Sequence, residues 1–281
     1  MITLSMINNK GGVGKTTSTA CLGELLAFLG KKVLLVDMDP QGNLSMLYGV
    51  YYDDREEDST TPKYPNIADL FAHRFREKEQ VESVVYKTDK DNLSIIPATH
   101  RHNNTISIVS QKTSGNNAVI LKRALDTIKD QYDYILIDNA PADNLMTVNS
   151  MMVSNYVYIP AETDAYSYKG VQQTIQTILE IKEDHYIDSL QLGGVFLTKA
   201  EIATNNFKKW QEIYQQEIGD LFLKTPIRKD VKIKEKISEL APMLQGNAGS
   251  NAISDYAALL IEMHILDAET EQILRLGFAE D

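Results

Sequence analysis

Three short stretches of this chain carry residue types that could do chemistry on a phosphorylated molecule. The first is Lys10-Gly11-Gly12-Val13-Gly14-Lys15-Thr16-Thr17. Glycine lets a backbone adopt conformations that a Cβ forbids, so successive N–H groups can turn inward around phosphate oxygens. Lys15 is spaced to reach terminal phosphates, and the Thr16 hydroxyl to ligate Mg²⁺. The second stretch, Asp37-Met38-Asp39-Pro40-Gln41-Gly42-Asn43, closes an apolar run on two carboxylates. The third, Tyr132-Asp133-Tyr134-Ile135-Leu136-Ile137-Asp138, closes another on one, and Asp138 is placed to bind water of a Mg²⁺ shell.

Chemistry of this kind needs elements that hold the three stretches at one edge. The apolar run Ile2-Thr3-Leu4-Ser5-Met6-Ile7 reads as a strand, and residues 18–29 read as a helix. Strand, glycine-rich loop and helix are the context a phosphate-binding loop requires, with unpaired donors of the helix N-terminus added to the loop. Residues 32–37 and 132–138 suit parallel strands buried on both faces, with chemistry at their C-terminal ends. Further strands are expected at 93–97, 156–160, 192–199 and 221–225, and helices at 66–74, 118–129, 205–217, 232–240 and 252–266. Strands alternating with helices predict an α/β fold: a doubly wound, mostly parallel sheet with helices on both faces. One domain over residues 1–281 is expected, with a mobile, charge-rich insertion at 51–65 and a C-terminal helical tail at 266–281. Residues 103–115 are polar and give no clear signal.

Composition bounds the rest. The chain has 281 residues, is 43% hydrophobic and carries a net charge of −11. It contains no apolar run long enough to span a bilayer, and Met1 leads directly into a strand, so a cytoplasmic protein with no membrane partner is expected. The single cysteine, Cys21, excludes an internal disulfide and reads as a small core residue on the first helix. The acidic balance argues against a surface coated in DNA-binding charge. Residues 224–236 are the exception: Lys224, Arg228, Lys229, Lys232, Lys234 and Lys236 face only Asp230 and Glu235, a local net charge of +4. Trp210, beside Lys209, reads as helix-face packing rather than a base-stacking platform.

Lys10 sits two places before Gly12, where an ordinary phosphate loop tolerates almost any residue. With it, the first stretch resembles the deviant Walker A loop, and the order of all three stretches is similar to that of the ParA/Soj family of P-loop ATPases. The resemblance implies ATP and Mg²⁺ as ligands of Lys10, Gly11, Gly12, Val13, Gly14, Lys15, Thr16 and Thr17. It implies that Lys10 reaches phosphates held by a second subunit in an ATP-dependent homodimer. It also implies that Asp39 helps hold the Mg²⁺ water shell with Thr16 and Asp138 and orients the attacking water, with Asp37 in support. The chain looks like the short, plasmid-partition form: a partition ATPase that binds nonspecific DNA, associates with the nucleoid when ATP-bound, and is switched off by hydrolysis stimulated by a small centromere-binding adaptor. Two departures stand out. Family members usually continue Cys-Pro-Pro after the third stretch, whereas here the chain reads Asn139-Ala140-Pro141. Where relatives often carry a DNA-binding arginine, this chain has Ala203, which leaves Arg228, Lys229, Lys232, Lys234, Lys236 and the Lys208-Lys209 pair as candidate phosphate contacts.

Rival readings share the loop. A MinD-like positioning ATPase needs a basic amphipathic C-terminal helix, but residues 266–281 carry Asp267, Glu269, Glu271, Glu280 and Asp281 against Arg275. An iron–sulfur relative needs paired cysteines. A P-loop small-molecule ligase stays open, and phosphate release with DNA against small acids separates it.

Overall fold

Alternation along the buried strands sorts their side chains onto two faces. The computed structural model describes residues 1–51, 64–100, 102–111, 116–185, 187–246 and 250–278. The insertion expected at 51–65 therefore lies almost wholly outside the described residues. Among the described residues seven strands form one sheet: β1 (Ile2–Met6), β2 (Val33–Asp37), β3 (Tyr86–Lys87), β4 (Leu93–Ile96), β5 (Tyr134–Asp138), β6 (Tyr156–Ala161) and β7 (Gln191–Leu197). Their order is β3-β4-β2-β5-β1-β6-β7. Every pairing is parallel except β3 with β4. The doubly wound, mostly parallel sheet expected from the sequence is what is observed.

Leu4, Met6, Val33, Leu35, Tyr134 and Leu136 point to one face, beneath the helices Lys15–Phe28 and Asn251–Glu262. Leu34, Val36, Ile135 and Ile137 point to the other, beneath Ile67–His73, Ile120–Leu125 and Leu145–Val153. The helix Lys15–Phe28 buries Leu22, Leu25 and Leu26 completely. Each such leucine contributes about 1.5–3 kcal/mol relative to exposure. A third cluster joins β6 and β7 to the helices Ala165–Asp184 and Asn205–Ile218. There Trp210 packs against Tyr168 and Tyr214, as expected of a packing residue. Cys21 is buried on the first helix.

From β1 the chain passes to β2 on one side, and later from β6 to β7 on the other. The crevice at the C-terminal end of β1 is thus where strand order reverses, the place where open α/β sheets bind ligands. Register brings the carboxylates to that edge, because Asp138 lies level with both Met6 and Asp37.

The structure departs from the sequence reading in places. Residues 221–225 do not form a strand of the sheet. Phe222 makes one isolated bridge to Val195, and the N–H groups of Lys224 and Thr225 donate to the Glu262 carboxylate at 2.7 and 2.9 Å. A side chain has taken the donors that a strand partner would take. The helix expected over 252–266 ends at Glu262, followed by His264 with a left-handed φ of 52°. The unassigned polar stretch contains a helix, His102–Gln111, and the tail contains the helix Ala268–Phe278. Among the described residues no helix is long and apolar enough to cross a membrane.

One buried carboxylate fastens a distant segment to the first helix. Glu24 accepts from Tyr48 Oη at 2.8 Å and from the N–H groups of Met243 and Leu244, both at 2.9 Å. Burial pushes its carboxyl above the usual range, while these donors pull the other way. The segment that follows the helix Val231–Glu239 is held there, against the first helix.

Candidate nucleotide-binding site

The loop between β1 and the helix Lys15–Phe28 is shaped first by Asn8. Its Nδ2 donates to Pro160 O at 2.8 Å, and its Oδ1 accepts from Lys10 N at 2.8 Å. Gly12 and Gly14 have φ of 79° and 90°, a left-handed conformation that side chains resist. Gly14 stands at the N-terminus of the helix with no side-chain cap, so the first N–H groups of that helix face the crevice. Thr198, at the end of β7, closes the loop from behind by donating to Val13 O at 2.8 Å.

Lys15 is only 6% exposed, and its ammonium donates to Asn8 O at 2.9 Å and to Lys10 O at 3.3 Å. Burial lowers its pKa, against the attraction of Asp138 and Asp39. Thr16 Oγ1 donates to Asp138 Oδ2 at 2.7 Å. The other oxygen, Asp138 Oδ1, is buried with no hydrogen-bond partner among the described residues. Burial, and then the neighbouring Asp37, push the Asp138 carboxyl well above its usual range. Such a pair of buried carboxylates suits a divalent cation, which supplies the missing positive charge. The orphaned oxygen, beside the Thr16 hydroxyl, is the observation that fits Mg²⁺.

Asp37 and Asp39 occupy different environments. Asp37 is fully buried, and accepts from Asp39 N at 3.0 Å, Ser45 N at 2.9 Å and Ser45 Oγ at 2.7 Å. Burial raises its pKa to about 7 despite the Ser45 hydrogen bonds. It braces the turn that carries Asp39. Asp39 is partly exposed, accepts from Gln41 N at 2.9 Å and lines a cleft of ≈ 560 Å³. That cleft is also lined by Gly11, Gly12, Gly14, Lys15, Thr16 and Thr17, so the phosphate loop and Asp39 face one space. A volume of this size is ordinary for a small-molecule site.

Lys10 reaches the loop that follows β6. Its ammonium pairs with Asp164 at 2.8 Å and Glu162 at 3.2 Å, and these bonds outweigh partial burial and raise its pKa. Both carboxylates follow β6, and Asp164 also caps the helix Ala165–Asp184 through Ser167 N. Neither was singled out from the sequence, although the convergence of strand ends at the switch point is a signal that could have found them. The same holds for Lys199, which lines the cleft.

The loop after β5 takes its shape from Asn139, which is 2% exposed. Its amide donates to Met6 O at 3.2 Å, and its carbonyl oxygen accepts from Ser150 Oγ at 2.6 Å. Asparagine thus ties the end of β5 to β1 and to the helix Leu145–Val153, bonds that a cysteine could not reproduce.

The basic island is less free than its charge suggests. Arg228 donates to both oxygens of Asp255, Nε to Oδ2 at 2.9 Å and Nη2 to Oδ1 at 2.8 Å. Lys229 pairs with Glu201 at 2.6 Å and Lys236 with Glu239 at 3.0 Å. Arg228, Lys229 and Lys234 line a second groove of ≈ 390 Å³. Gly14, Thr17, Lys199 and Ile237 belong to both spaces, so the groove continues the phosphate cleft.

A seven-stranded sheet with a glycine-rich loop at its switch point has the P-loop ATPase fold, and comparison with known proteins agrees. Residues 1–192 match the family model described as an AAA domain. The chain is 33% identical over 261 residues to the sporulation initiation inhibitor protein Soj of Bacillus subtilis, covering 92% of this chain and 97% of Soj. It is 33% identical over 271 residues to the chromosome-partitioning ATPase Soj of Treponema pallidum, covering 95% and 98%. Among solved structures, a Cyanothece McdA variant in complex with ATP superposes with a TM-score of 0.79 at 20% identity, covering 95% of this chain and 98% of that one. The chain belongs to the ParA/Soj family of P-loop ATPases.

Proposed function

We propose that residues 1–281 act as one domain, a Mg²⁺-dependent ATPase that partitions or positions DNA cargo by switching between a monomer and an ATP-bound homodimer. One observation carries this reading: the cradle of Gly11–Thr17, the Thr16–Asp138 pair and the partly exposed Asp39 meet at one cleft. In that cleft the backbone N–H groups and Lys15 hold the β- and γ-phosphates, and the adjoining groove takes the nucleoside. Thr16 and Asp138 hold Mg²⁺, with Asp39 beside them. The metal neutralises charge on the phosphates when bound. Asp39 is placed to accept a proton from water and to orient it, and Asp37 keeps the Asp39 turn rigid. Lys10 serves the phosphates of the second copy.

The reading of Lys10 has a direct test. Lys10→Ala should leave nucleotide binding by the monomer intact and abolish ATP-dependent dimerisation. Among the described residues its ammonium pairs with Glu162 and Asp164, and a partly exposed ion pair of this kind contributes under about 1 kcal/mol. Sedimentation with a slowly hydrolysed ATP analogue that shows equal dimer in both proteins removes the second-subunit role.

The proposed cargo contact is nonspecific DNA, promoted by ATP because dimerisation places two basic surfaces on one duplex. Reversing Arg228 would leave Asp255 without its bidentate partner, so the test uses other lysines of the two basic stretches. Two variants, Lys224→Glu and the double variant Lys208→Glu with Lys209→Glu, are expected to weaken binding to a random-sequence duplex. At least one should also flatten the log–log salt dependence, by roughly 0.9 for each phosphate no longer neutralised. Anisotropy titrations with ATP and with ADP, alongside the dimerisation assay, check this. If both variants match the wild type, neither surface is the contact. If the wild type binds no DNA in any nucleotide state, a P-loop ligase acting on small acids becomes the better reading. A centromere-binding adaptor protein that stimulates hydrolysis completes the proposed cycle.

A further inference from the structure

Lys199 follows Thr198 directly at the C-terminal end of β7, with φ of 50°, in the left-handed region that residues other than glycine seldom occupy. Three backbone bonds hold it there. Thr198 N donates to Ala161 O at 2.7 Å, Ala200 N donates to Ile227 O at 2.8 Å, and Lys229 N donates to Ala200 O at 3.1 Å. This backbone turns the side chain back towards the phosphate loop, where its ammonium donates to Gly12 O and to Glu162 Oε1, the latter at 2.7 Å. Lys199 also lines both the phosphate cleft and the groove that continues it. Nothing in the phosphate-loop motif asks for a lysine at this place.

A cradle built of inward N–H groups must turn carbonyls outward. A cation on such a carbonyl polarises its peptide, and the N–H of that same peptide becomes a better donor. The peptide in question is Gly12–Val13, which lies between Gly12 and Gly14, and both of those glycines line the cleft. Glu162, the second acceptor of Lys199, is also the partner of Lys10. One ammonium therefore holds the outer side of the cradle and one oxygen of the carboxylate that faces Lys10.

We infer that Lys199 is a positioning residue for the phosphates of the bound nucleotide, acting through the Gly12–Val13 peptide rather than by contact with the reacting atoms. The inference rests on the reading of the cleft as a nucleotide site. Its effect falls on affinity for ATP and ADP alike, because both place phosphates in the cradle, and it leaves turnover at saturation nearly unchanged.

The test compares the full-length wild type with Lys199→Met, which keeps the length of the stem and loses the charge, and with Lys199→Arg, which keeps the charge. Calorimetry with ADP and with a slowly hydrolysed ATP analogue should show affinity lowered roughly tenfold in Lys199→Met, the scale of one charge-assisted hydrogen bond, and largely restored in Lys199→Arg. Steady-state hydrolysis should show KM raised with kcat within about twofold. The thermal midpoint without nucleotide should match across the three proteins. Equal affinity of Lys199→Met and wild type overturns the inference. So does a loss of affinity that Lys199→Arg fails to restore, accompanied by a lowered thermal midpoint, since that pattern marks a structural role only. A wild type that binds neither nucleotide removes the site reading itself, and is recognised as such before any variant is compared.

Discussion

Lys15→Ala is expected to lose ATP binding by two to three orders of magnitude while remaining folded. Removing one partner from a buried charge contact costs about 3–5 kcal/mol, and each 1.4 kcal/mol is roughly tenfold in Kd. Lys15 is enclosed by the loop it serves, so no neighbouring cation can move into its place without rebuilding the loop. Lys10 is held by Glu162 and Asp164, and Lys199 by Gly12 O and Glu162. The substitution also strips the Asn8 and Lys10 carbonyls of their donor, which makes Lys15→Gln the informative companion because it retains an N–H donor without charge. Calorimetry on all three proteins, with thermal melting as a control on folding, checks the expectation. Undiminished affinity in both variants would remove the loop from the nucleotide site.

The second large effect concerns turnover. Asp39→Ala is expected to bind ATP with nearly unchanged affinity, to hydrolyse it about 10²- to 10⁴-fold more slowly, the range for loss of a positioned acid or base, and to accumulate as a dimer. In the proposed cycle binding and chemistry fall to different residues. The Asp39 carboxylate accepts from Gln41 N, on a partly exposed turn whose shape is held by Asp37. Its removal leaves Lys15, Thr16 and Asp138 where they are. Asp37→Ala should behave differently and lower thermal stability, because three donors on Asp39 and Ser45 would lose their buried acceptor. Quench measurements of phosphate release and light scattering with ATP distinguish the cases. Normal turnover in Asp39→Ala, with only monomer present, would reassign the attacking-water role.

The parts legible in the sequence were those where one short stretch holds both the fold signal and the chemistry. The run from Ile2 to Thr17 announces strand, loop and helix together, and Asp37 and Asp138 end strands buried on both faces. Which face each side chain of β2 and β5 takes could not be seen in a continuous apolar run, yet the run itself was enough to mark these fully buried strands as central. What stayed hidden depends on long-range pairing. Glu162 and Asp164 meet Lys10 across more than a hundred and fifty residues of chain, and Lys199 reaches Gly12 over a longer separation. No local pattern encodes such pairings. The partners of the basic island stayed hidden for the same reason, because Asp255, Glu201 and Glu239 lie outside the window in which its charge was counted. The expected strand at 221–225 had the right composition but lost its donors to Glu262.

That glutamate has a consequence for solubility. A parallel sheet ends in strands whose outer N–H and C=O groups can recruit another chain. Among the described residues β3, at one margin, is two residues long, too short to template a partner strand. At the other, the segment around Phe222 and Leu223 lies along β7 through the bridge at Val195, and Glu262 occupies its next two N–H groups. A carboxylate placed there takes up donors and repels further backbone carbonyls. Self-association by strand addition is disfavoured at both margins. In the proposed cycle, where copies gather at high local density on their cargo, the shared-sheet route to aggregates is thereby avoided. Copies would meet through the nucleotide face instead, where the encounter can be undone.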